Sequence, residues 1–411
     1  MKNQTTFLLL SVIIFSCVKN PESGNHNSYI KVGRIDSIFS NDLNEERKFW
    51  VYLPYGVDNA PEPGKKYPVL YLLDGDAHFQ SVTGMIQQMS AVNGNMLCPE
   101  MIVVAIPNTD RTRDLTPSHG SEDSDKTSGG AENFTRFLQQ VITHVEAKYP
   151  VTSYRTLIGH SFGGLFAINT LMRHKDMFAN YLAIDPSLWW DDQKLLKESK
   201  HLLDTGRFDK KFLYVAMAHT VKKGMSLKDL AKDTTQNTRH MRSIIEFCDD
   251  AVSKTSNGMT FESKYYPDDG HGTVVLISEH DALRSMFKWY GLNELSDYYV
   301  SDSKQSAEQM IGVIKAHYKI VSDHFGYEVA PDRQMVNDLG NYFLEEKRAD
   351  RALALFTLNV ENYPKVVWAF DALGDYYLHE KDTASAIESF DKALAIVQEK
   401  GIAEKLDKLK K

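Results

Sequence analysis

A serine flanked by glycines carries the strongest chemical signal in this sequence of 411 residues. Residues 159–164 read Gly-His-Ser-Phe-Gly-Gly and follow the apolar pair Leu157-Ile158. This G-x-S-x-G pattern is typical of a strand, a tight turn and a helix, with Ser161 at the apex of the turn. The hydroxyl of such a serine projects beside the unpaired N–H groups that begin the next helix. The pattern therefore predicts nucleophilic attack by Ser161 on a carbonyl, with the Phe162 N–H donating to the oxyanion.

A nucleophilic serine needs a base, and His271 lies where one is expected. In hydrolases of this topology the chain order is serine, acid, histidine. His271 follows the last predicted strand, and Gly270 and Gly272 free the loop to bring the imidazole back to the turn. His280 also follows that strand, but it lies farther on, in a helical pattern. We therefore predict His271 as the general base.

The catalytic acid is the member that the sequence supplies least clearly. It is expected directly after the strand that ends at Ala218, where residues 219–223 contain no carboxylate. Asp233 is the first choice for this role, although it precedes a predicted helix and could equally be its N-cap. Asp229 is a second choice. A Ser–His dyad without a carboxylate is the third interpretation that the sequence leaves open.

A second oxyanion donor is expected from the loop that follows the first buried parallel strand. This loop begins Asp74-Gly75-Asp76, and Gly75 lets the backbone approach a substrate carbonyl. The N–H of Asp76 would then join that of Phe162.

Three further side chains are candidate substrate contacts. Arg113 could bind an acidic substrate or pair with its neighbour Asp114. Trp189 and Trp190 follow a strand, where they could line an apolar pocket or pack at its rim.

The elements that must position these residues form an alternating pattern. Continuous apolar runs typical of buried strands alternate with helical patterns, which predicts a mostly parallel sheet with helices on both faces. Two antiparallel strands are expected before it, between Tyr29 and Leu53. The predicted strands are Tyr67–Leu73, Met101–Ile106, one that ends at Leu157-Ile158, Tyr181–Ile184, Phe212–Ala218 and Phe261–Tyr266. The predicted helices are Val82–Val92, Ala131–Lys148, Phe162–Arg173 and Asn237–Val252.

The strand patterns stop near residue 300, and an internal repeat follows. Leu339-Gly340 recurs as Leu373-Gly374 and Phe356 as Phe390, each offset by 34 residues, which is the tetratricopeptide period. Two such repeats are fewer than a stable stack usually needs, so we expect a capping helix or docking onto the first domain. The predicted domains are an α/β domain at 29–295 and a tetratricopeptide-like helical region at 304–411. A plain pair of helical hairpins without a binding role is the alternative.

The N-terminus resembles the leader of a bacterial lipoprotein. A positive start precedes an apolar run at 7–15 that is too short to span a membrane, and Ile14-Phe15-Ser16-Cys17 resembles a lipobox. We expect a signal peptide at 1–17, acylation of Cys17, a flexible tether at 18–28, and a place in the cell envelope, either periplasmic or surface-exposed. A secretory signal with an incidental cysteine is the alternative.

Composition excludes some partners. The net charge of −8 is spread along the chain without a basic stripe, so no nucleic-acid partner is expected. The remaining cysteines, Cys98 and Cys248, fit no metal site by spacing and are either buried thiols or one bridge. We expect no metal and no organic cofactor.

Several segments together resemble the Putative esterase family of α/β-hydrolases, which includes enterochelin, feruloyl and acetylxylan esterases, S-formylglutathione hydrolase and mycolyltransferases. The resemblance covers about 29–290 and is closest to the siderophore-esterase-like branch. It implies the α/β-hydrolase fold, with Ser161 as nucleophile and His271 as base. Where relatives often place Glu or Asp, this chain has Val221 or a neighbour. The segments that carry the resemblance are 71–75, 108–117, 159–164, 186–190 and His271-Gly272.

These observations predict a lipid-anchored serine carboxylester hydrolase. It would act through an acyl-enzyme on a siderophore-type or acylated-glycan ester in the envelope. One alternative is an interaction protein, in which the helical repeats hold a protein partner and the hydrolase domain is a weak or inactive scaffold. Acyl transfer to a sugar is the other.

Overall fold

The structure is a computed structural model that describes residues 30–55, 57, 65–120, 126–253, 255–300 and 304–410. The predicted signal peptide, Cys17 and the tether lie outside the described residues. One compact unit, Gly33–Lys411, carries all the elements given below. Within the described ranges, no helix combines the length and the apolar character needed to cross a bilayer.

An eight-stranded sheet forms the centre of this unit, in the order β1-β2-β4-β3-β5-β6-β7-β8. The first two strands pair antiparallel with each other, β2 pairs antiparallel with β4, and all other pairs are parallel. The mostly parallel sheet predicted from the apolar runs is confirmed. The strands are β1 (Arg34–Ser40), β2 (Glu45–Tyr52), β3 (Tyr67–Leu72), β4 (Ile102–Ala105), β5 (Val151–His160), β6 (Asn180–Ile184), β7 (Phe212–Ala218) and β8 (Thr260–Tyr266).

Helices cover both faces of this sheet, as predicted. One face packs against α3, α4, α5 and α7, and the other against α1 and α8. Strands β3, β4, β6 and β7 are buried along their whole length, because helices on both sides exclude water. These helices are α1 (Gly75–Ser90), α2 (Arg111–Leu115), α3 (Ala131–Lys148), α4 (Phe162–Arg173), α5 (Trp190–Thr205), α6 (Leu227–Leu230), α7 (Gln236–Ser253) and α8 (Val274–Met286).

Sequence periodicity does not reveal helix α5, and it indicates α8 only as the helical pattern that contains His280. Helix α5 begins irregularly, because Asp191, Asp192 and Gln193 all have left-handed backbone angles, with φ of 47°, 49° and 63°. Helix α1 begins seven residues before the predicted Val82.

The chain beyond residue 295 is helical, which confirms the predicted change of character. Helices α11 and α12 pack as one hairpin, and α13 and α14 as a second. The helices are α9 (Ser296–Tyr299), α10 (Ala307–Phe325), α11 (Arg333–Glu345), α12 (Ala349–Asn362), α13 (Val367–His379), α14 (Thr383–Ile396) and α15 (Lys400–Leu409).

The repeated glycines mark where the helices of each hairpin cross. A Cβ on Gly340 would lie 2.8 Å from the Phe356 ring, and one on Gly374 would lie 2.5 Å from the Phe390 ring. The two hairpins therefore use the same close contact at equivalent positions.

The helical region docks onto the α/β part. The Phe325 ring at the end of α10 packs edge-on against Tyr154 of β5, with ring centroids 4.8 Å apart. Leu295, at the end of the α/β part, is 5 % exposed and packs in one apolar cluster with Val336 of α11 and Leu355 of α12. Docking therefore buries surface that two short hairpins alone would expose.

Cys98 and Cys248 are free thiols, so of the two interpretations the bridge is wrong. Burial raises the pKa of each thiol to about 12, which keeps both protonated at neutral pH.

Candidate active site

Ser161 occupies a strained turn between β5 and α4. Its backbone angles are φ 59° and ψ −113°, a combination that side-chain-bearing residues rarely adopt. The turn is held by the Ser161 N–H, which donates to the Ile184 carbonyl at 2.9 Å. The backbone has the geometry expected of a nucleophile elbow.

Close backbone contacts explain the glycines of this motif. A Cβ on Gly159 would lie 2.2 Å from the Gly163 carbonyl oxygen, so no larger residue fits at that position. A Cβ on Gly164 would lie 3.1 Å from the Ile184 carbonyl oxygen, which keeps α4 close to β6. The elbow therefore depends on glycine for space rather than for flexibility.

The Ser161 hydroxyl is bonded to a neighbouring hydroxyl in this structure. Its Oγ lies 3.2 Å from the Oγ of Ser187, whose N–H donates to the Ser161 carbonyl at 3.1 Å. Ser187 is buried, so it holds the nucleophile against the loop that follows β6. No hydrogen bond joins Ser161 to His271 within the described ranges; catalytic bonds of this kind are often long before substrate binds.

His271 lies next to the elbow and is bonded to Asp185. Its Nδ1 is 2.6 Å from the Asp185 Oδ2, and its ring centroid is 4.5 Å from that of His160, the residue before the nucleophile. The His160 Nε2 donates to the His271 carbonyl at 2.9 Å, which ties the histidine loop to the elbow. An imidazole that donates from Nδ1 to a carboxylate leaves Nε2 free to accept a proton.

Asp185 therefore occupies the position that the sequence prediction gave to Asp233. The Asp233 carboxylate accepts from Thr235 and Thr238 at the start of α7, and Asp229 forms a capping box with Ser226. Both carboxylates are used locally and neither is bonded to His271. This corrects the first and second choices for the acid, and it removes the reason for considering a dyad.

Asp185 is buried, and its charge is compensated by three donors. Besides His271, the His240 Nε2 lies 2.9 Å from Oδ2, and the Ala218 N–H donates to Oδ1 at 3.0 Å. Burial by itself raises the pKa of this carboxyl, but the hydrogen bonds from His240 and His271 outweigh burial and lower the pKa to about 2. Asp185 is thus a carboxylate at neutral pH.

Asp185 lies next to residues that the sequence analysis selected for other reasons. It directly precedes the segment 186–190, which carries the family resemblance and from which the sequence singles out only Trp189 and Trp190 as candidate pocket residues. His240 carries no sequence signal, because it lies within the amphipathic pattern of α7.

The predicted oxyanion donors lie at the starts of two helices. Phe162 and Asp76 are in the first turns of α4 and α1, where backbone N–H groups have no acceptor within the helix. A Cβ on Gly75 would lie 2.8 Å from the Ile106 nitrogen, so glycine at this position lets the loop pack against the end of β4. The two N–H groups remain candidates for the oxyanion hole.

Arg111 joins the two halves of this candidate hole. It binds the Asp74 carboxylate with Nε at 2.6 Å from Oδ1 and Nη2 at 3.0 Å from Oδ2. The same Nη2 donates to the His160 carbonyl at 3.0 Å. Burial raises the pKa of Asp74, but the hydrogen bonds from Arg111 lower it by a larger amount, so the pKa lies below its usual value. The sequence gives no indication that Arg111 rather than Arg113 lies at the site.

Arg113 is engaged in a structural ion network, which corrects its assignment to substrate binding. Its Nε donates to Asp114 at 2.7 Å and its Nη2 to Glu45 at 2.7 Å. Arg47, which is 1 % exposed, binds the same two carboxylates. The pairing of Arg113 with Asp114, the other interpretation, is confirmed.

The two tryptophans divide between packing and the site. The Trp190 side chain is 5 % exposed and its Nε1 donates to the Ser118 carbonyl at 2.9 Å, which is a packing role. Trp189 is half-buried, and its ring centroid lies 6.3 Å from that of Phe162 beside the nucleophile. Trp189 is therefore the better candidate for a substrate contact.

The sheet order, the strained serine between β5 and α4, and a histidine–carboxylate pair beside it define an α/β-hydrolase with a serine-hydrolase site. A family model described as Putative esterase matches residues 40–255, more than half of this chain of 411 residues. The chain belongs to that family, and it is a carboxylic ester hydrolase.

Individual relatives agree with this assignment. The chain is similar to the siderophore enterobactin esterase of Emericella nidulans, with 28% identity over 247 residues, 53% of this chain and 81% of the relative. It is 31% identical over 177 residues to the ferri-bacillibactin esterase BesA of Bacillus subtilis, which covers 39% of this chain and 61% of BesA. Among solved structures, an IroE-like serine hydrolase from Shewanella oneidensis matches with a TM-score of 0.66 and 28% identity, covering 80% of this chain and 99% of that one.

Proposed function

We propose that the chain hydrolyses a siderophore-type ester through an acyl-enzyme on Ser161. The observation that carries the mechanism is the 2.6 Å contact between the His271 Nδ1 and the Asp185 Oδ2 beside the strained serine. That contact holds the imidazole in the tautomer that can accept the serine proton.

The reaction follows from these positions. Ser161 Oγ attacks the ester carbonyl while its proton moves to the Nε2 of His271. Asp185 stabilises the imidazolium that forms, and the N–H groups of Phe162 and Asp76 bind the oxyanion. His271 then protonates the leaving alcohol, which leaves an acyl-serine, and a water activated by the same histidine releases the acid.

Before attack, the Ser161 hydroxyl must turn from Ser187 toward His271. The space beside the His271 loop is open, since a Cβ on Gly270 or Gly272 would meet nothing within 4 Å. The His271 side chain is also 44 % exposed, so packing does not hold it in place.

The substrate class is proposed from the relatives. Enterobactin, bacillibactin and triacetylfusarinine C esterases are among the similar proteins by their names. The half-buried Trp189 next to Phe162 offers an aromatic surface beside the nucleophile, which suits an acyl group that carries an aromatic ring. An acylated glycan has no comparable support.

A covalent probe tests the mechanism, and matched substrates test the class. A fluorophosphonate is expected to label the wild-type protein and not Ser161→Ala, while Ser187→Ala keeps its label. Hydrolysis of a cyclic siderophore lactone is expected to exceed that of an acetylated xylo-oligosaccharide. Equal labelling of the folded Ser161→Ala variant would disprove the mechanism, and a preference for the glycan would disprove the substrate class.

We also propose that the protein is a lipoprotein of the cell envelope, anchored through Cys17. The sequence 14–17 supports this, and an imported siderophore is available there. Wild-type protein is expected in the membrane fraction and Cys17→Ser in the soluble fraction. Membrane association of Cys17→Ser would refute the anchor.

A second candidate function is partner binding by the helical region, which we propose to be tetratricopeptide-like. The 34-residue offset of the Gly340–Phe356 and Gly374–Phe390 contacts supports this. A cleft of about 1360 Å³ between the helical region and the starts of strands β3 and β5 supports a binding role. Tyr342 lines this cleft, and a photo-crosslinking residue placed there is expected to capture a partner protein. The same residue placed at the exposed Val397 is expected not to capture it. Equal capture at both positions would count against it.

A further inference from the structure

A cluster of two histidines and one aspartate lies beside the nucleophile. The donor atoms of Asp185, His240 and His271 all lie within 4.8 Å of one another. The Asp185 Oδ2 is 2.9 Å from the His240 Nε2 and 2.6 Å from the His271 Nδ1. Two imidazole nitrogens and one carboxylate oxygen are a donor set that Zn²⁺ takes in protein sites.

The three ligands differ in freedom, which suits a site that fills reversibly. Asp185 has no exposed side-chain area and is fixed by the Ala218 N–H. His240 is on helix α7 and its side chain is 20 % exposed. His271 is 44 % exposed and lies between two glycines with open space around them. An ion can therefore enter from solvent on the His271 side.

The distances require only a small adjustment to bind an ion. Zinc–ligand bonds of about 2.0–2.2 Å place tetrahedral ligand atoms about 3.4 Å apart. Each histidine nitrogen must therefore move away from Oδ2 by roughly half an ångström to one ångström, and the two nitrogens, now within 4.8 Å of each other, must take a similar spacing.

We propose that Asp185, His240 and His271 form a binding site for a divalent transition-metal ion such as Zn²⁺, which switches the esterase off reversibly. The inhibitory effect rests on the proposed function of His271. A metal on Nδ1 leaves the proton of the neutral imidazole on Nε2, and that nitrogen can no longer accept the Ser161 proton. The Asp185 carboxylate then coordinates the ion and no longer stabilises an imidazolium at His271.

Binding is tested first without reference to activity. Co²⁺ added to chelator-treated full-length protein is expected to give visible absorption bands of a four- or five-coordinate site, saturating at one equivalent. His240→Asn is expected to weaken Co²⁺ binding by about a hundredfold or more, since even partners of metal ligands are worth 10–100-fold in affinity. The matched control His280→Asn, whose ring pairs with Asp281, keeps wild-type binding. His240→Gln serves if His240→Asn does not fold.

Inhibition is tested on the same proteins with an aryl ester. Zn²⁺ is expected to remove at least nine-tenths of the wild-type activity, with the same midpoint at which it displaces Co²⁺, and a chelator is expected to restore it. The His240 variant is expected to need at least tenfold more Zn²⁺ for half inhibition of whatever activity it retains.

The outcomes separate the two proposals. If His240→Asn gives the same saturable Co²⁺ bands as the wild-type protein, the proposed metal site is wrong. It is also wrong if the wild-type protein reacts with fluorophosphonate but gives no Co²⁺ bands. Co²⁺ binding without any Zn²⁺ inhibition would overturn the switch. If the metal-free protein does not react with fluorophosphonate, the proposed function fails, and Co²⁺ binding that depends on His240 still supports the metal site.

Discussion

Replacing Asp185 by asparagine is the most direct test of the catalytic arrangement. The Asp185 carboxylate accepts bonds on both oxygens, from His240 and His271 on Oδ2 and from the Ala218 N–H on Oδ1. An asparagine keeps the shape but replaces one acceptor with an NH₂ group. Whichever way the amide is turned, its NH₂ group then faces either the Ala218 N–H or the two histidine nitrogens, all of which donate to the wild-type carboxylate.

The size of the effect follows from what His271 loses. With the amide nitrogen opposite it, Nδ1 must become the acceptor and the proton moves to Nε2, so the imidazole is the wrong tautomer for a base. In a serine protease this change costs about 10⁴ in kcat. Because the His271 side chain is 44 % exposed, water supports part of the imidazolium charge, so we expect a smaller loss here. A loss of about a thousandfold corresponds to about 4 kcal/mol of transition-state stabilisation.

The assay is aryl-ester hydrolysis over a range of substrate concentrations, with Asp233→Asn as the matched control. Asp233 is the acid that chain order suggested, and among the described residues its carboxylate accepts hydrogen bonds from the local Thr235 and Thr238. We expect Asp185→Asn to lower kcat with little change in KM, and Asp233→Asn to retain wild-type kcat. Urea unfolding of both variants shows whether either loss reflects an unfolded protein.

Two results would refute this reasoning. One is a folded Asp185→Asn enzyme within about fivefold of wild-type kcat, a loss of about 1 kcal/mol, which would mean that His271 acts without a carboxylate. The other is a larger kcat loss in Asp233→Asn than in Asp185→Asn, which would restore the assignment made from chain order.

Three further predictions concern pH, the oxyanion loop and the helical hairpins. Glu279 is 1 % exposed and burial raises its pKa from 4.5 to about 8, so the folded state keeps a proton that the unfolded chain releases. The contribution of this protonated carboxyl to stability is complete below pH 4.5 and is lost as the pH rises to about 8. Between pH 5.5 and 8 the free energy of unfolding should therefore fall by about 3 kcal/mol more in the wild-type protein than in Glu279→Gln. Equal falls of the two proteins in urea unfolding would contradict this. Arg111→Lys cannot keep the two-pronged bond to Asp74, so kcat should fall about tenfold while KM stays nearly constant; an effect on KM alone would contradict the positioning role. Gly374→Ala places a Cβ 2.5 Å from a phenylalanine ring of α14 and should lower stability by about 1–3 kcal/mol, whereas Gly401→Ala, with nothing within 4 Å, should not; equal melting temperatures would contradict the crossing contact.

The features that the sequence predicted are those with local causes. Gly159 and Gly163 stand in contact across one turn, so the spacing of the motif and its geometry have the same origin. Buried strands read as apolar runs because both faces of each are covered. His271 was found because chain order and flanking glycines are both visible in the sequence.

The acid could not be chosen from the sequence, because the choice depends on two neighbouring strands. Strands β6 and β7 are parallel, so their carboxyl ends meet at one edge of the sheet, and either can supply the carboxylate. Ala218, the last residue of β7, donates its N–H to Asp185 from the adjacent strand. The carboxylate that is missing after β7 is therefore supplied by Asp185, which follows β6.

By itself, then, the sequence determined the serine turn, the candidate histidine, the parallel sheet and the helical C-terminal region, each through a pattern of a few consecutive or periodic residues. Only the tertiary structure decided that Asp185 serves His271, that His240 shares that carboxylate, and that Arg111 rather than Arg113 lies at the site. These contacts join residues 86, 55 and 37 positions apart, from different strand ends, loops and helices. No local pattern encodes such a pairing, because it exists only once the sheet has brought the ends of its strands together.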